Sequence, residues 1–341
     1  MKDDRFNKLL DAFRSKRITV IGDFILDEYL IGDTRRVSRE APVIVIDYRE
    51  SHYHPGGAAN AAQNVTALKA DARVFGVVGA DRDGEVLSDL LASKGVNVSN
   101  LVKDRVVTTA VKTRILAGEL HAQKQQIARI DRSCVVPTES AARETLGAAI
   151  TQMTTDSDAV LFSDYGMGLI PGSLSAAVID ACRARSIPVV VDSRFNLLRF
   201  GGATVATPNE VELYEALKLK DHERKDLDAL ARRVLTEQDL AGLVVTRGSQ
   251  GMRVFDSDGE GESVGIVGSR DVTDVTGAGD TVAAALALSL AAGASLAEAA
   301  EIATYAAAVV VMKRGTATVG HDELTAIRDK HPCPLIGGEN A

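Results

Sequence analysis

An acid sits directly behind a run of small residues at Asp274-Val275-Thr276-Gly277-Ala278-Gly279-Asp280-Thr281, and a long apolar helical pattern follows at once. Backbone N–H groups at the start of a helix have no intrahelical acceptor, and the helix dipole favours negative charge there. Gly277, Ala278 and Gly279 let a phosphate approach those groups closely. An acid beside a phosphate is poorly placed to bind it, because like charges repel. It is well placed to take the proton from a hydroxyl that attacks the phosphate. The chemistry expected is phosphoryl transfer, with Asp280 as the base. The competing reading is a glycine-rich helix start whose acid only complements the dipole, and one such loop does not separate the two.

Other candidates fall where strands end and helices begin. Asp23 and Asp27 lie just past an apolar strand in Gly22-Asp23-Phe24-Ile25-Leu26-Asp27. A carboxylate there accepts hydrogen bonds from sugar hydroxyls, or it caps a turn. In Pro55-Gly56-Gly57-Ala58-Ala59-Asn60 two glycines permit close backbone approach, and Asn60 offers both a donor and an acceptor. A plain glycine-rich helix start would look the same. Asn209 and Glu212 stand three apart in Thr207-Pro208-Asn209-Glu210-Val211-Glu212, on one face of an opening helix. They read as oxygen ligands that hold Mg²⁺ through water, as a capping box, or as both. Val244-Val245-Thr246-Arg247-Gly248-Ser249 carries a strand into a glycine turn suited to nucleotide phosphate or ribose. His52 and His54 share one side of a strand and, with no third ligand evident, read as surface decoration.

Several classes drop out. No G-x-x-x-x-G-K-[ST] occurs, and the first strand meets no G-x-G-x-x-G turn, which removes P-loop and dinucleotide-binding readings. A net charge of −8, no tryptophan and 4% aromatic residues argue against a nucleic-acid surface. Cys134, Cys182 and Cys333 are widely spaced, as in a reducing cytoplasm. Met1–Leu10 is charged and lacks the apolar run of a signal peptide. Val282–Met312 is interrupted by Gly293, Glu298 and Glu301, so it reads as two core helices and not a membrane span.

The positioning elements follow from periodicity. Asp3–Lys16 has helical spacing, and Arg17–Gly22 reads as the first strand of a parallel sheet. Pro42–Tyr48, Lys112–Ala117 and Gln125–Ile130 are β-rich without helices after them, which predicts an antiparallel flap outside the main sheet. A helix over about Ala58–Lys69, a strand Arg73–Gly79 and a helix Gly84–Lys94 lie between those pieces. From Thr138 onward a helix to Met153, strand Ala159–Ser163, helix Gly172–Arg185 and strand Pro188–Asp192 alternate regularly. Helices near Asn209–Leu217 and Asp226–Glu237 lead to a strand at Gly242–Thr246. That alternation implies a parallel sheet covered on both faces, with ligands at the carboxyl ends of its strands. The tail Pro332–Ala341 reads as loose.

Taken in order, Gly56-Gly57-x-x-Asn60, Asn209-x-x-Glu212, Thr246-x-Gly248 and Asp274-x-Thr276-Gly277-Ala278-Gly279-Asp280 resemble the ribokinase-like (PfkB) family of carbohydrate kinases over about residues 15–330. Within it the chain is similar to the kinase domain of heptose 7-phosphate kinases of lipopolysaccharide-precursor synthesis. Gly22-Asp23-x-x-Leu26-Asp27-x-Tyr29, Ser38-x-Glu40-Ala41-Pro42-Val43, Gln125-Gln126-x-x-Arg129-x-Asp131, Ser163-Asp164-Tyr165 and Lys313-x-Gly315-Thr316 carry that likeness. The resemblance implies a three-layer α/β/α sandwich with a mostly parallel sheet and a small β-lid from about 28–50 and 108–131, in one domain over 1–335 with a tail at 336–341. It implies an ATP- and Mg²⁺-dependent sugar kinase that is cytoplasmic and homodimeric through the lid, with no nucleic-acid or membrane partner. Some members carry a fused nucleotidyltransferase domain, for which this length leaves no room.

By the same resemblance Asp280 is the base, and Gly277, Ala278 and Gly279 form the anion hole. Asp27, Gly56, Gly57, Asn60, Arg129, Asp164 and Arg194 would bind the sugar. Asn209, Glu212, Thr246, Gly248, Lys313 and Gly315 would border nucleotide, and Glu212 would reach Mg²⁺ through water. The chain departs from the heptose-kinase pattern at Met167, where a lysine is usual, at Ser193-Arg194-Phe195 in place of Pro-Lys-Gly, at Arg39 and at Thr304. A phosphorylated acceptor would give Arg194, Arg39 and Arg114 an anion to meet. Another sugar or a nucleoside, and a non-catalytic nucleotide-binding regulator, are the alternatives.

Overall fold

Alternating apolar residues sort each central strand onto two faces, and each face gathers its own helices. The computed structural model describes all residues except 120–123, 138–139, 154–155, 221–225, 258–260, 269–271 and 332–341. Its strands are β1 (Arg17–Gly22), β2 (Phe24–Val37), β3 (Ile44–Gly57), β4 (Asp71–Gly79), β5 (Asn97–Asp104), β6 (Ala110–Gly118) and β7 (Gln125–Arg132). There follow β8 (Ala159–Asp164), β9 (Val189–Ser193), β10 (Val205–Ala206), β11 (Gly242–Thr246), β12 (Met252–Asp256) and β13 (Glu262–Val264). The helices are α1 (Asp3–Phe13), α2 (Ala58–Ala67), α3 (Arg82–Ser93), α4 (Ala141–Met153) and α5 (Gly172–Arg183). Then come α6 (Glu210–Ala216), α7 (Leu227–Glu237), α8 (Ala278–Ala291), α9 (Leu296–Val310) and α10 (His321–Lys330).

The main sheet has the order β13-β12-β11-β10-β9-β8-β1-β4-β5. Every neighbouring pair is parallel except those made by β12, which runs antiparallel to β11 and β13. Ile18, Val20, Leu161, Val190 and Val244 face a core shared with α1, α2, α8 and α9. Ile21, Val160, Phe162, Val191 and Val245 face the other core, with α4, α5 and α7. The result is the three-layer α/β/α sandwich. The chain builds outward from β1 through β4 to β5, then returns to place β8 on the other side of β1. Such a reversal opens a crevice at the carboxyl ends of the two central strands.

Helix α8 is buried from Asp280 to Ser289, enclosed by α2, α9, β8 and β9. That enclosure explains its lack of a polar stripe, and it fixes the helix's first turn over the crevice. Met252–Asp256, Glu262–Val264, Asn97–Asp104 and His321–Lys330 are elements that periodicity did not reveal. Among the described residues no helix is long and apolar enough to cross a membrane. Cys333, Thr138 and the tail lie outside the described residues.

The flap is a second sheet of order β3-β2-β6-β7. The expectation of an antiparallel flap is corrected: β2 and β6 pair in parallel from Ile25 with Ala110 to Asp33 with Gly118. The cause is topological. A β4-α3-β5 unit intervenes before the chain re-enters the lid, and that crossover lets β6 run in the same direction as β2. The lid strands are also longer than expected, 24–57 and 110–132, because β2 follows β1 directly and β3 runs into α2.

Candidate active site

Asp280 lies in the first turn of α8 and is 3% exposed. The helix begins at Gly277, which adopts φ 77° and supplies no side-chain cap. The Ala278 N–H donates to Val275 O at 3.2 Å, so of the anion hole expected over Gly277–Gly279 only Gly277 and Gly279, with Asp280 beyond them, have N–H groups left for an anion from outside the chain. A side chain at Gly277 would meet both the left-handed backbone and the amide of Asn60. Asn60, fully buried in α2, donates from Nδ2 to Asp280 Oδ2 at 2.8 Å. Its Oδ1 accepts from Gln63 and Asn64. The hydroxyl of Tyr165 donates to the other carboxylate oxygen at 3.0 Å. Desolvation pushes the Asp280 pKa up to about 7, with Asp27 adding to the rise and Asn60, Tyr165 and Lys112 opposing it. A carboxyl poised near neutrality can take a proton from an alcohol and release it later. Burial, with the charges of Asp280 and Asp192, raises Tyr165 well above 10, so it remains a donor.

Asp274 fastens the loop that leads into this turn. Its two oxygens accept from the backbone N–H of Thr276 and of Gly315, both at 2.9 Å. Desolvation acts to raise its pKa, but these hydrogen bonds outweigh it and hold the carboxyl below the usual range.

The lid supplies the opposite wall. Along β2 and β6 the two-residue period puts Asp27, Tyr29, Lys112 and Arg114 on one face. Asp27 is 2% exposed and accepts from Arg114 Nη1 at 2.6 Å, and Arg114 also lies over the Tyr29 ring. Gly56 brings the backbone against the Asp27 carboxylate, where a Cβ would stand 2.6 Å from Oδ2. Gly57, with φ 56°, packs its backbone on Tyr165 and the Asp23 carbonyl. The Lys112 ammonium lies 4.7 Å from the Tyr165 ring centroid. Its pKa is lowered by desolvation first, then by Arg194 and Arg114, against the pull of Asp27 and Asp280.

On the far side of the α8 first turn is an apolar cavity of about 250 Å³. Thr246, Gly248, Met252, Val275, Ala308 and Val311 are among its walls, and Ala278 and Gly279 close the end nearest Asp280. Thr304 also lines it, with its hydroxyl donated back to Ala300 O at 2.9 Å. Asp192 approaches Gly279 in the first turn of α8. Desolvation and the charges of Asp280, Glu212 and Asp164 hold Asp192 well above 3.8. Desolvation also raises Glu212.

A buried carboxyl at a helix start with no side-chain cap thus lies between an apolar cavity and a polar lid. Residues 15–323 match the pfkB family of carbohydrate kinases. The chain belongs to that family. It is 41% identical over 329 residues to the bifunctional protein HldE of Geobacter metallireducens, covering 95% of this chain and 65% of that protein. HldE of Geobacter sulfurreducens is 39% identical over 314 residues, covering 89% of this chain and 61% of that protein. The chain therefore spans less than two thirds of the length of these two relatives. Among solved structures, phosphofructokinase-2 from Escherichia coli in complex with substrates and products superposes with a TM-score of 0.74 at 20% identity, over 93% of this chain and 99% of that one. Ribokinase of Arabidopsis thaliana complexed with ribose and ATP gives 0.71 at 19% identity, over 92% and 98%. At such identities the likeness concerns the fold.

In this carbohydrate kinase Asp280, Gly277, Ala278, Gly279, Asp27, Gly56, Gly57 and Asn60 converge on one cleft. The Asn60 amide is committed to Asp280, Gly277, Gln63 and Asn64 and so holds the Asp280 carboxyl. Thr246 and Gly248 line the cavity. Asn209 and Glu212 close a capping box, each side chain accepting from the other's N–H at 2.9 Å. Asp164 accepts from Gly166 N, Ser193 and Asn196, and so braces the two loops after β8 and β9. Arg194 is exposed over the ring of Phe195. Arg129 pairs with Arg114 across β6 and β7 and is held by Asp131 at 2.8 Å on the outer strand. Arg39 is exposed on the turn between β2 and β3. Lys313 is tied to Thr318 O and Glu323, and Gly315 faces Tyr29; neither lines the cavity. His54 is half-buried edge-on to Tyr29, which corrects its reading as surface decoration. Lys112, Tyr165 and Asp192 are the site residues that sequence reasoning missed. The spacing of Lys112 and Arg114, two apart on a strand, was the available signal for the first.

Proposed function

We propose that the protein transfers the γ-phosphate of ATP to a sugar hydroxyl, with the O1 hydroxyl of D-glycero-D-manno-heptose 7-phosphate as the leading acceptor. The observation that carries this reading is Asp280 itself, buried, held by two donors at its oxygens and set at an uncapped helix start. ATP would lie with its base in the apolar cavity and its γ-phosphate on the N–H groups of Gly277 and Gly279. The sugar would lie under the lid against Asp27, Gly56 and Gly57. Asp280 removes the hydroxyl proton as the oxygen attacks the γ-phosphorus, the bond from that phosphorus to the β-phosphate oxygen breaks and ADP leaves, and the helix N-terminus stabilises the charge on the transferring group. Lid closure excludes water, which suppresses hydrolysis of ATP.

The acidic residues fit a divalent cation. Asp192 stands beside the first turn of α8 and feels the charge of Glu212, and both have raised pKa values that a cation would relieve. Mg²⁺ would be carried by ATP and reached through water by Glu212. When bound, Mg²⁺ would neutralise phosphate charge. The heptose acceptor is supported by the HldE relatives, and Lys112 and Arg194 offer positive charge near the sugar position. A second reading, another sugar or sugar phosphate, is favoured by Met167 and Phe195, which stand where the heptose-kinase pattern has lysine and glycine. Val43, Ile44, Tyr48 and Ile130 are exposed apolar residues on lid strands or their connecting turn, which supports a homodimer formed through the lid.

The test is ADP release with Mg²⁺-ATP against heptose 7-phosphate, hexose phosphates, free sugars and nucleosides. Turnover on heptose 7-phosphate well above the others is expected. Turnover only on an unphosphorylated sugar would refute the heptose assignment, and none on any acceptor would refute the kinase reading.

A further inference from the structure

We propose, taking Asp280 as the base, that Tyr165 is its positioning residue and that Lys112, standing on the Tyr165 ring from the lid, couples the base to the lid. The carboxylate of Asp280 has two fixed donors. Asn60 is locked inside α2 and cannot report on a substrate. Tyr165 is different. It follows β8, its backbone N–H is held by Asp23 Oδ2 at 2.7 Å, and its ring lies between the sandwich and the lid. The hydroxyl grips the base at 3.0 Å while the ring face receives Lys112 at 4.7 Å, within cation–π reach.

Among the described residues Lys112 forms no ion pair, and its ammonium stands over the Tyr165 ring face. Lys112 pairs in register with Asp27, on the wall that would meet the sugar. A displacement of that wall moves Lys112, and through the ring it bears on the hydroxyl that orients Asp280. The charged groups around the base are Asp27 on β2, Lys112 on β6 and Asp192 on β9. Arg194 faces Lys112, and Glu212 on α6 faces Asp192. Of these only Lys112 touches Tyr165 in the described contacts.

The experiment is a double-mutant cycle on kcat with the best acceptor from the ADP-release screen, with thermal melts to confirm folding. Tyr165→Phe removes one oxygen and should lower kcat about ten- to hundredfold, the loss expected for a hydrogen bond to a charged group, with acceptor KM within about twofold. Lys112→Met should lower kcat about three- to tenfold, and Lys112→Arg, which also stacks on a ring, should restore it. The double variant should be no slower than Tyr165→Phe alone, because Lys112 acts through the hydroxyl. Multiplying effects, an unchanged kcat in Tyr165→Phe, or a raised KM at constant kcat in Lys112→Met would overturn the coupling. A wild-type enzyme inactive on every sugar would refute the proposed function instead. The ¹³C carboxylate resonance of Asp280, assigned with Asp280→Asn, then tests the positioning: it must shift in Tyr165→Phe, and an unmoved signal sinks it.

Discussion

Replacing Asp280 with asparagine should remove turnover and, at pH 8, make the protein more stable. The carboxyl is held near pKa 7 in the folded protein against an ordinary value of 3.8. Three units correspond to about 4 kcal/mol at 1.36 kcal/mol per unit. The sign follows from proton binding. Between pH 3.8 and 7 the unfolded chain has released this proton while the folded chain retains it, so stability falls as pH rises through that window. Below 3.8 the cost is absent, and above 7 it is complete. Asparagine has no such titration, and its amide can still accept from Asn60 and donate to the Tyr165 oxygen. The variant should therefore melt close to wild type at pH 4 and on the order of 5 °C higher at pH 8. Calorimetry without ligands at the two pH values measures this. A melting difference that is the same at both would refute the burial argument. The same variant should lose about a thousandfold in kcat with nucleotide binding within about twofold, and a near-normal kcat would remove Asp280 as the base.

Gly277→Ala should lower both melting temperature and kcat, kcat by at least about tenfold, because its side chain meets a left-handed backbone and the Asn60 amide that holds Asp280; melts and steady-state rates check it. Ala308→Phe should fill the cavity and raise the KM for ATP about tenfold or more with the acceptor KM unchanged. Arg114→Met leaves the buried Asp27 carboxylate without its partner. It should cost about 3 kcal/mol of stability and raise the acceptor KM, both readable from urea unfolding and kinetics.

Local chemistry was legible in the chain wherever one segment contains the whole signal. Gly277-Ala278-Gly279-Asp280 holds its cradle and its acid within four residues, and a helix start dictates their relation. The capping box of Asn209 and Glu212, the strand Gly242–Thr246 and the two apolar helices after Gly277 were readable for the same reason, since spacing alone defines them. The alternation of strands and helices likewise implied the parallel sheet.

What depends on segments distant in sequence was decided only by the fold. The parallel pairing of β2 with β6 needs the β4-α3-β5 crossover, and no periodicity within either strand records it. Lys112 and Asp27 become neighbours through that pairing, and Arg114 reaches the Asp27 carboxylate by the same means. Tyr165 meets Asp280 because the loop after β8 crosses the start of α8, 115 residues further along the chain. Burial then lifts the Asp280 pKa from the value its residue type would have in water. The sequence by itself determined which acid could serve as a base and where a phosphate could rest. Only the tertiary structure decided how that acid is held, how hard it grips its proton and which lid residues face it, because desolvation and hydrogen bonding are set by neighbours that the chain brings together in space.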